Sequence, residues 1–232
     1  MKKRILKLLM VLSLVLPFQA QAREVVIGLE NTYYPPRYFM EAGKPAGINV
    51  EFLTRAFKDL GYEVKWKVQP VADLYSDLFR GAIDFKFPDN PEWKYQAKEG
   101  KTVLYSEIVQ ADRDGLFVQP KNKARPLEKI KKVGTLHGFT VVSLEHNIRS
   151  GNIKVLEYND TTTLMQAAIK GEIDGAYLSR GVGNYYLSKI LRDPEKLVFD
   201  ESLPTANNPY YLSTLKEKTL LEKLNQWIVK NK

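Results

Sequence analysis

The segment LFRGAIDF, residues Leu78–Phe85, recurs in outline as AIKGEIDG, residues Ala168–Gly175. Each copy follows an amphipathic segment and precedes an apolar one. Glycine accepts the left-handed conformation that ends a helix, and the isoleucine after it then enters a buried strand. Two such helix-to-strand joints, one in each half of the chain, predict two similar α/β lobes.

Polar and aromatic residues follow each of the two predicted strands, in the segments Lys86–Trp93 and Tyr177–Arg180. Open α/β sheets bind their ligands beyond the carboxyl ends of the strands. We therefore expect both segments to face a cleft between the lobes.

Residues 1–22 have the composition of a cleavable signal peptide. They begin with a basic stretch, Lys2–Lys7. The apolar run Leu8–Phe18 follows, which is too short for a comfortable membrane span, and Ala20–Ala22 then provides a small-x-small cleavage site. No cysteine follows the apolar run, which excludes a lipid anchor. We predict a periplasmic protein that is cleaved after Ala22.

The composition excludes several classes of function. The net charge is +8, but 4 of the 35 basic residues lie in the signal peptide, which leaves 31 against 27 acidic residues. This mildly basic balance argues against a nucleic-acid partner. The sequence has no cysteine and none of the Gly-x-Ser-x-Gly, His-Glu-x-x-His or phosphate-loop motifs. We therefore expect no enzyme, no metal and no cofactor.

The first part of the mature chain alternates between strands and helices. Val25–Leu29 is a predicted buried strand, and an apolar stripe after Asn49 predicts a helix capped near that residue. Tyr62–Val68 alternates apolar and polar residues as a half-exposed strand does. A second helix then leads into the first joint, so the order favours a mostly parallel sheet.

The later part of the chain repeats this order. We place the crossing into the second lobe at Ala111–Gly115, a strand at Lys132–Leu136, a helix N-cap at Thr140 and the return crossing at Leu203–Pro209. The predicted lobes are residues 23–111 with 207–232, and residues 112–206. Two crossover segments imply a hinge that closes the lobes over a ligand.

Six short segments, in this order and spacing, resemble one known family. They are Tyr34–Pro36 with Phe39, Gly47–Glu51, Gly81–Asp84, Val133 with Gly138, Gly171–Asp174 and Tyr210–Leu212. The chain resembles periplasmic solute-binding proteins of the type II fold, in the family that binds polar amino acids for ABC importers. The resemblance spans essentially the whole mature chain. It implies a two-lobed monomer whose partner is a membrane permease or a membrane sensor.

Two departures from the family concern the ligand. The resemblance implies a Thr-x-x-Arg element that clamps the ligand's α-carboxylate, but Asn90–Trp93 stands there, with Trp93 in place of the arginine. It also implies an aspartate that holds the ligand's ammonium, where this chain has Ser179. Both departures argue against a standard α-amino acid.

The candidate site residues leave several alternatives open. Tyr33, Tyr34 and Phe39 either form an aromatic wall on which the ligand stacks or only cover the sheet edge. We assign the second role, covering the sheet edge, to Tyr38. Trp93 stacks on the ligand or fills space. The predicted ligand-binding residues are Tyr33, Tyr34, Phe39, Lys86, Phe87, Asp89, Trp93, Gly138, Phe139, Thr140, Ser179 and Arg180.

The charged candidates have equally open alternatives. Lys86 points into the cleft or into solvent, and Arg180 binds a carboxylate or pairs with a surface acid. Asp89 and Glu92 receive a cation or are turn residues. The amides of Phe139 and Thr140, at a predicted helix start, favour an anionic group.

The sequence thus predicts a binding protein that closes on a small polar solute, amino-acid-like or carboxylate-bearing. One alternative is an enzyme that resembles the periplasmic dehydratases of this family, with Asp89 or Glu92 as its acid. The other alternative is a ligand receptor for a membrane signalling protein.

The signal-peptide assignment predicts the start of the mature protein. When the full sequence is expressed with its own first 22 residues, the periplasmic fraction should contain a protein that begins at Arg23. Intact-mass spectrometry and N-terminal sequencing measure this. A protein that keeps residues 1–22 would contradict the assignment.

Overall fold

The computed structural model describes residues 23–231, so the predicted signal peptide and its cleavage site lie outside the described residues. Twelve strands are β1 Arg23–Glu30, β2 Phe39–Glu41, β3 Lys44–Ala46, β4 Tyr62–Gln69, β5 Phe85–Asp89, β6 Leu104–Tyr105, β7 Gln110–Val118, β8 Lys132–Leu136, β9 Lys154–Tyr158, β10 Gly175–Ser179, β11 Val198–Phe199 and β12 Ala206–Thr214. The α-helices are α1 Ile48–Asp59, α2 Val71–Phe79, α3 Tyr95–Lys98, α4 Glu145–Arg149, α5 Thr161–Lys170, α6 Arg180–Tyr185 and α7 Lys218–Asn231. Short 3₁₀ turns lie at Pro120–Asn122, Leu127–Lys129 and Val142–Leu144, and a π-helical turn lies at Tyr186–Ile190.

The fold is α/β, with a curled and mostly parallel sheet in the order β4-β1-β5-β12-β7-β10-β8-β9. In the first lobe, β1 pairs in parallel with β4 and β5. In the second lobe, β8 pairs in parallel with β10 and β9. Helices cover these strands, as the predicted alternation of strands and helices requires.

The repeated segments are helix-to-strand joints, as predicted. Helix α2 ends before Gly81, whose φ is +75°, and helix α5 ends at Gly171, whose φ is +76°. The aspartate of each copy then binds the backbone of the neighbouring strand. Asp84 Oδ2 accepts a hydrogen bond from the Val26 amide at 2.8 Å, and Asp174 Oδ2 accepts one from the Lys132 amide at 2.9 Å.

A glycine in the neighbouring strand leaves room for each joint. A Cβ at Gly28 of β1 would lie 2.6 Å from Ile83 Cδ1, and a Cβ at Gly134 of β8 would lie 2.6 Å from Ile173 Cδ1. The isoleucine of each repeated segment therefore packs against a bare backbone. The two joints thus share a further feature that lies outside the repeated segments, the glycine in the neighbouring strand.

The two lobes are joined by the antiparallel pair of β7 and β12, in which Ala206 lies opposite Asp114 and Tyr210 opposite Gln110. Beyond this shared stretch, β7 pairs with β10 of the second lobe, and β12 pairs with β5 of the first. The predicted lobe boundaries, after residues 111 and 206, lie within this strand pair. The division of the chain at those positions stays a prediction.

The C-terminal helix α7 packs on helix α1 of the first lobe. The ring centroids of Trp227 and Phe52 lie 5.3 Å apart, and the Trp227 indole donates to Asp59 at 3.0 Å. Among residues 23–231, the structure contains no helix with the length and apolarity that a membrane span requires.

One of two predicted helix starts is wrong. Helix α1 begins at Ile48 with Gly47 as its N-cap, two residues before Asn49, near which the cap is predicted. No helix begins at Thr140, since the residues after it form the 3₁₀ turn Val142–Leu144 before the five-residue helix α4. The Phe139 amide instead donates to the Leu136 carbonyl at 3.0 Å, so it closes a turn.

The aspartates of the joints should contribute to stability. Asp174→Ala removes the acceptor of the Lys131 and Lys132 amides and should lower the free energy of unfolding by ~1–3 kcal/mol. Glu172→Ala, at an exposed side chain of the same joint, is the control and should change it by less than ~0.5 kcal/mol. Urea denaturation of both variants tests this, and equal effects would contradict it.

Candidate functional site

A cavity with ≈ 480 Å³ of empty space, part of it open to solvent, lies where the two lobes and the strand pair β7–β12 meet. Residues from all three parts line it: Glu30, Tyr34, Tyr38, Val71, Tyr75, Trp93, Lys94, Asp114, Gly138, Phe139, Thr140, Tyr177, Leu178, Asn208 and Tyr210. Seven of these residues are aromatic. The cavity therefore lies beyond the carboxyl ends of β1, β5, β8 and β10, where an open α/β sheet binds its ligand.

The lobes contact each other on both sides of this cavity. The Tyr34 hydroxyl accepts a hydrogen bond from the Ser179 amide at 3.2 Å, and the Tyr33 carbonyl accepts one from the Tyr186 hydroxyl at 3.0 Å. On the other side, Gly138 lies close to Val71, since a Cβ built on this glycine would be 3.3 Å from the Val71 side chain. The two hydrogen bonds therefore join the lobes beside the cavity.

Local turns place two of the aromatic rings in the wall. Asn90 closes a turn by accepting the Glu92 amide on its side chain and the Trp93 amide on its carbonyl. Trp93 then donates from its indole to Asn208 at 3.1 Å. Gly138, with φ +81°, lets the chain turn after β8 and places the Phe139 ring 5.6 Å from the Tyr34 ring.

Asp114 is a buried carboxylate in this cavity wall, 6% exposed. Its Oδ2 accepts a hydrogen bond from Asn208 Nδ2, and its Oδ1 has no hydrogen-bond partner. Burial, followed by the charge of Asp112, raises the pKa of Asp114 to about 7. The groups that interact with its charge are Asn208, Asp112, Tyr34, Tyr177 and Tyr210. No basic side chain is among them.

A second acid of the wall, Glu30, is neutralised by the protein itself. Its Oε1 lies 3.3 Å from Nζ of the fully buried Lys86, and its Oε2 accepts the Tyr38 hydroxyl at 2.8 Å. Burial raises the pKa of Glu30, although Lys86 and Tyr38 oppose that effect. Glu30 therefore differs from Asp114, which lies in the same cavity and forms no ion pair with a basic side chain among the described residues.

A polar network behind the wall holds Tyr75 in place. The Tyr75 hydroxyl donates to Asp89 Oδ1 at 2.7 Å, and Lys98 Nζ lies 2.8 Å from the same oxygen. The ammonium of Lys86 lies 4.6 Å from the centre of the Tyr75 ring. The hydroxyl and one face of Tyr75 are thus occupied by the protein.

A third charged cluster connects the lobes beside the cavity. Asp112 Oδ2 accepts hydrogen bonds from Arg37 Nη2 and from Ser179 Oγ, both at 2.5 Å. Burial works to raise the pKa of Asp112, but the hydrogen bonds from Ser179 and Arg37 outweigh it and lower the pKa. Asp112 therefore links the first lobe, through Arg37, to the end of β10.

Five of the predicted site residues line the cavity: Tyr34, Trp93, Gly138, Phe139 and Thr140. Their role in binding stays a prediction. Tyr38, which we assigned to covering the sheet edge, also lines the cavity, because its hydroxyl reaches inward to Glu30.

The other seven predicted residues lie outside the cavity lining. Tyr33 is 47% exposed and contacts the half-buried Phe39, while Phe87 lies in the core. Lys86 and Asp89 point neither into the cavity nor into solvent, because both are buried in ion pairs.

Ser179 binds Asp112, and Arg180 pairs at the surface with Glu201 at 2.8 Å. Arg180 lines a separate surface hollow with Phe199. Arg180 therefore does not lie with Phe139 and Thr140 at the cavity between the lobes. Glu92, the acid considered for an enzyme, is exposed.

The sequence reasoning missed Asp114, Asn208, Tyr210 and Tyr75, and it placed Tyr177 in a segment that faces the cleft without naming it as a site residue. For Asp114 a signal was available, since it is an acid in the middle of the apolar-flanked crossing Ala111–Gly115. An acid inside a strand that joins two lobes is expected to face the space between them.

Residues 25–232 match the profile of the bacterial extracellular solute-binding proteins, family 3. Solved structures share the fold. Arginine-bound ArgBP from T. maritima is 20% identical, with a TM-score of 0.70 over 90% of this chain and 96% of that one. AbpA from Streptococcus pneumoniae, an amino acid ABC transporter substrate-binding protein bound to L-arginine, is 17% identical, with a TM-score of 0.69 over 89% and 88%.

The VFT2 domain of BvgS from Bordetella pertussis is also 17% identical, with a TM-score of 0.69 over 90% of this chain and 88% of that one. A comparison with curated proteins finds no match. Because these proteins are no more than 20% identical to this chain, their structural similarity shows that they share its fold and nothing more specific.

Replacing Asp114 should stabilise the ligand-free protein in a pH-dependent way. The native pKa is about 7 and the model-compound value is 3.8, so the native state holds this proton more tightly than the unfolded state does. The carboxylate therefore lowers the free energy of unfolding as the pH rises from about 4 to about 7, and the loss is complete above that range. Asp114→Asn should be more stable than the parent by ~2–4 kcal/mol at pH 8 and about equal to it near pH 4.

Urea denaturation at both pH values measures this difference. The control is Glu222→Gln, at an exposed carboxylate of α7, which should match the parent at both pH values. If Asp114→Asn is less stable than the parent at pH 8, the buried carboxylate has a stabilising partner and the electrostatic description is wrong.

Proposed function

The chain belongs to the bacterial extracellular solute-binding proteins of family 3, and on this premise we propose that it captures a small polar solute in the cavity between its lobes. The observation that carries the proposal is that both lobes and both crossover strands supply walls to one cavity. That cavity contains a buried carboxylate oxygen of Asp114 for which residues 23–231 provide no partner. A largely apolar pocket with a few convergent polar groups is typical of a small-molecule site.

Closure of the lobes over the solute is the proposed mechanism. The contacts of Tyr34 with Ser179 and of Arg37 with Asp112 form only when the lobes meet. A solute that touches both lobes prefers the closed form and shifts the equilibrium by that preference. A partner that recognises the closed form then detects the solute.

We further propose that the protein is a periplasmic monomer, exported by cleavage after Ala22, that delivers its solute to the permease of an ABC importer. The similarity to AbpA, a substrate-binding protein of an amino acid ABC transporter, supports this role. The proposed lobes are residues 23–111 with 207–232, and residues 112–206. The protein has no catalytic role in this proposal.

The structural likeness to a domain of BvgS supports a second candidate function, a ligand receptor for a membrane signalling protein. Both functions use the same closure of the lobes. They differ in the partner, which co-purification of the closed protein with a permease or with a sensor would identify.

Trp93 should report directly on binding. A thermal-shift screen of polar metabolites first identifies a solute that raises the melting temperature. In the Trp66→Phe/Trp227→Phe variant, in which Trp93 is the one remaining tryptophan, this solute should also change the tryptophan emission. The reason is that Trp93 lines the cavity, whereas Trp66 packs beside α1 and Trp227 lies on α7.

Two further variants complete this test. Trp93→Phe, which keeps Trp66 and Trp227, is the matched control and should show no change in emission. Trp93→Ala should weaken binding by ~10- to 100-fold through the loss of ring contact. An emission change confined to the control would place the solute outside this cavity.

A further inference from the structure

Building on the proposed function, we infer that the solute is a small organic cation with N–H donors and no carboxylate, an amine or a guanidinium compound. This class differs from the carboxylate-bearing solute that the sequence predicts. The inference rests on the hydrogen-bonding groups and charges of the cavity, which provide one buried acceptor without a partner and no buried, unpaired basic group to receive an anion.

The spare acceptor is Oδ1 of Asp114. A buried carboxylate oxygen without a partner is costly, and an N–H donor that carries positive charge satisfies both its hydrogen-bonding capacity and its charge. Asn208 already occupies the other oxygen. A neutral ligand would leave the charge of Asp114 uncompensated, so a cation fits the site better.

Three hydrogen-bond donors of the wall are already used within the protein. The Tyr38 hydroxyl donates to Glu30, the Tyr75 hydroxyl to Asp89 and the Trp93 indole to Asn208. A solute that accepts hydrogen bonds from these three groups therefore competes with bonds already made. A solute that donates finds Asp114 free.

The aromatic rings favour the same class of solute. Tyr34, Trp93, Phe139, Tyr177 and Tyr210 all line the space beside Asp114. Their ring faces carry negative potential and attract a cation, and this attraction is greatest where water is excluded. They also provide apolar contact for the carbon skeleton of an amine.

Apart from the exposed Lys94, the basic groups near the cavity are each paired with an acid. Lys86 lies against Glu30, Lys98 against Asp89 and Arg37 against Asp112. A ligand carboxylate in the cavity would therefore meet Asp114 without a buried cation to compensate it.

Two other groups at the cavity do not change this conclusion. The Phe139 amide, which the sequence assigns to an anion, is bound to the Leu136 carbonyl. Lys94 is the one basic residue in the cavity lining, and it is exposed, so a charge pair there is weakened by water and salt.

The test compares amines with the amino acids from which they differ by one carboxylate. Isothermal titration of the purified protein at pH 8 uses tyramine with tyrosine, agmatine with arginine, and cadaverine with lysine. At least one amine should bind ~100-fold more tightly than its amino acid, because burying an unpaired carboxylate beside Asp114 is costly.

Asp114→Asn should weaken binding of that amine by ~30-fold or more, since it removes the charge but keeps the shape and the contact with Asn208. Glu222→Gln, the exposed control on α7, should bind within ~2-fold of the parent. Circular dichroism of both variants checks that the fold is retained.

The outcomes separate this inference from the proposed function. If an amino acid binds as tightly as its amine, or if Asp114→Asn binds the amine as well as the parent does, the solute class is wrong and solute binding stands. If neither these six compounds nor a wider set of polar metabolites binds the folded protein, the inference and the solute-binding function both fail.

Discussion

Strands β7 and β12 pair in antiparallel fashion between the lobes, and each continues into the sheet of a different lobe. Because backbone hydrogen bonds fix their register, the side chains that they carry are held at the point where the lobes meet. Asp114 of β7 thereby reaches Asn208 of β12, and Tyr210 completes the wall. The connection between the lobes and the chemistry of the cavity are therefore parts of one strand pair.

The electrostatics of the cavity follow from this placement. Asp114 is desolvated by the aromatic walls, and the neighbouring lysines and arginine are already bound to Glu30, Asp89 and Asp112. The ligand-free protein thus carries an uncompensated acid, which lowers its free energy of unfolding as the pH rises from about 4 to about 7. A cationic solute that enters the cavity offsets this cost and, by touching both lobes, favours closure.

Local signals in the sequence were sufficient for the fold, because the turns at Gly81 and Gly171 and the apolar stripes act within a few residues. The site was only partly predictable. Trp93 and Phe139 follow strands whose ends meet in space, so their place could be inferred from topology. Arg180 and Lys86 could not be assigned, because their partners, Glu201 and Glu30, are distant in sequence. The surroundings of Asp114 were missed because the rings that line the space beside it come from five separate segments of the chain.

The titration of Asp114 itself is the most direct test of its uncompensated charge. Carboxyl ¹³C NMR, with the resonance assigned by its loss in Asp114→Asn, measures the pKa of this side chain with and without bound amine. Without ligand the midpoint should lie near pH 7, and saturation with the amine should move it well below that value. A midpoint near the ordinary aspartate value of about 3.9 in the free protein, or one that the amine leaves unchanged, would contradict this electrostatic picture of the cavity.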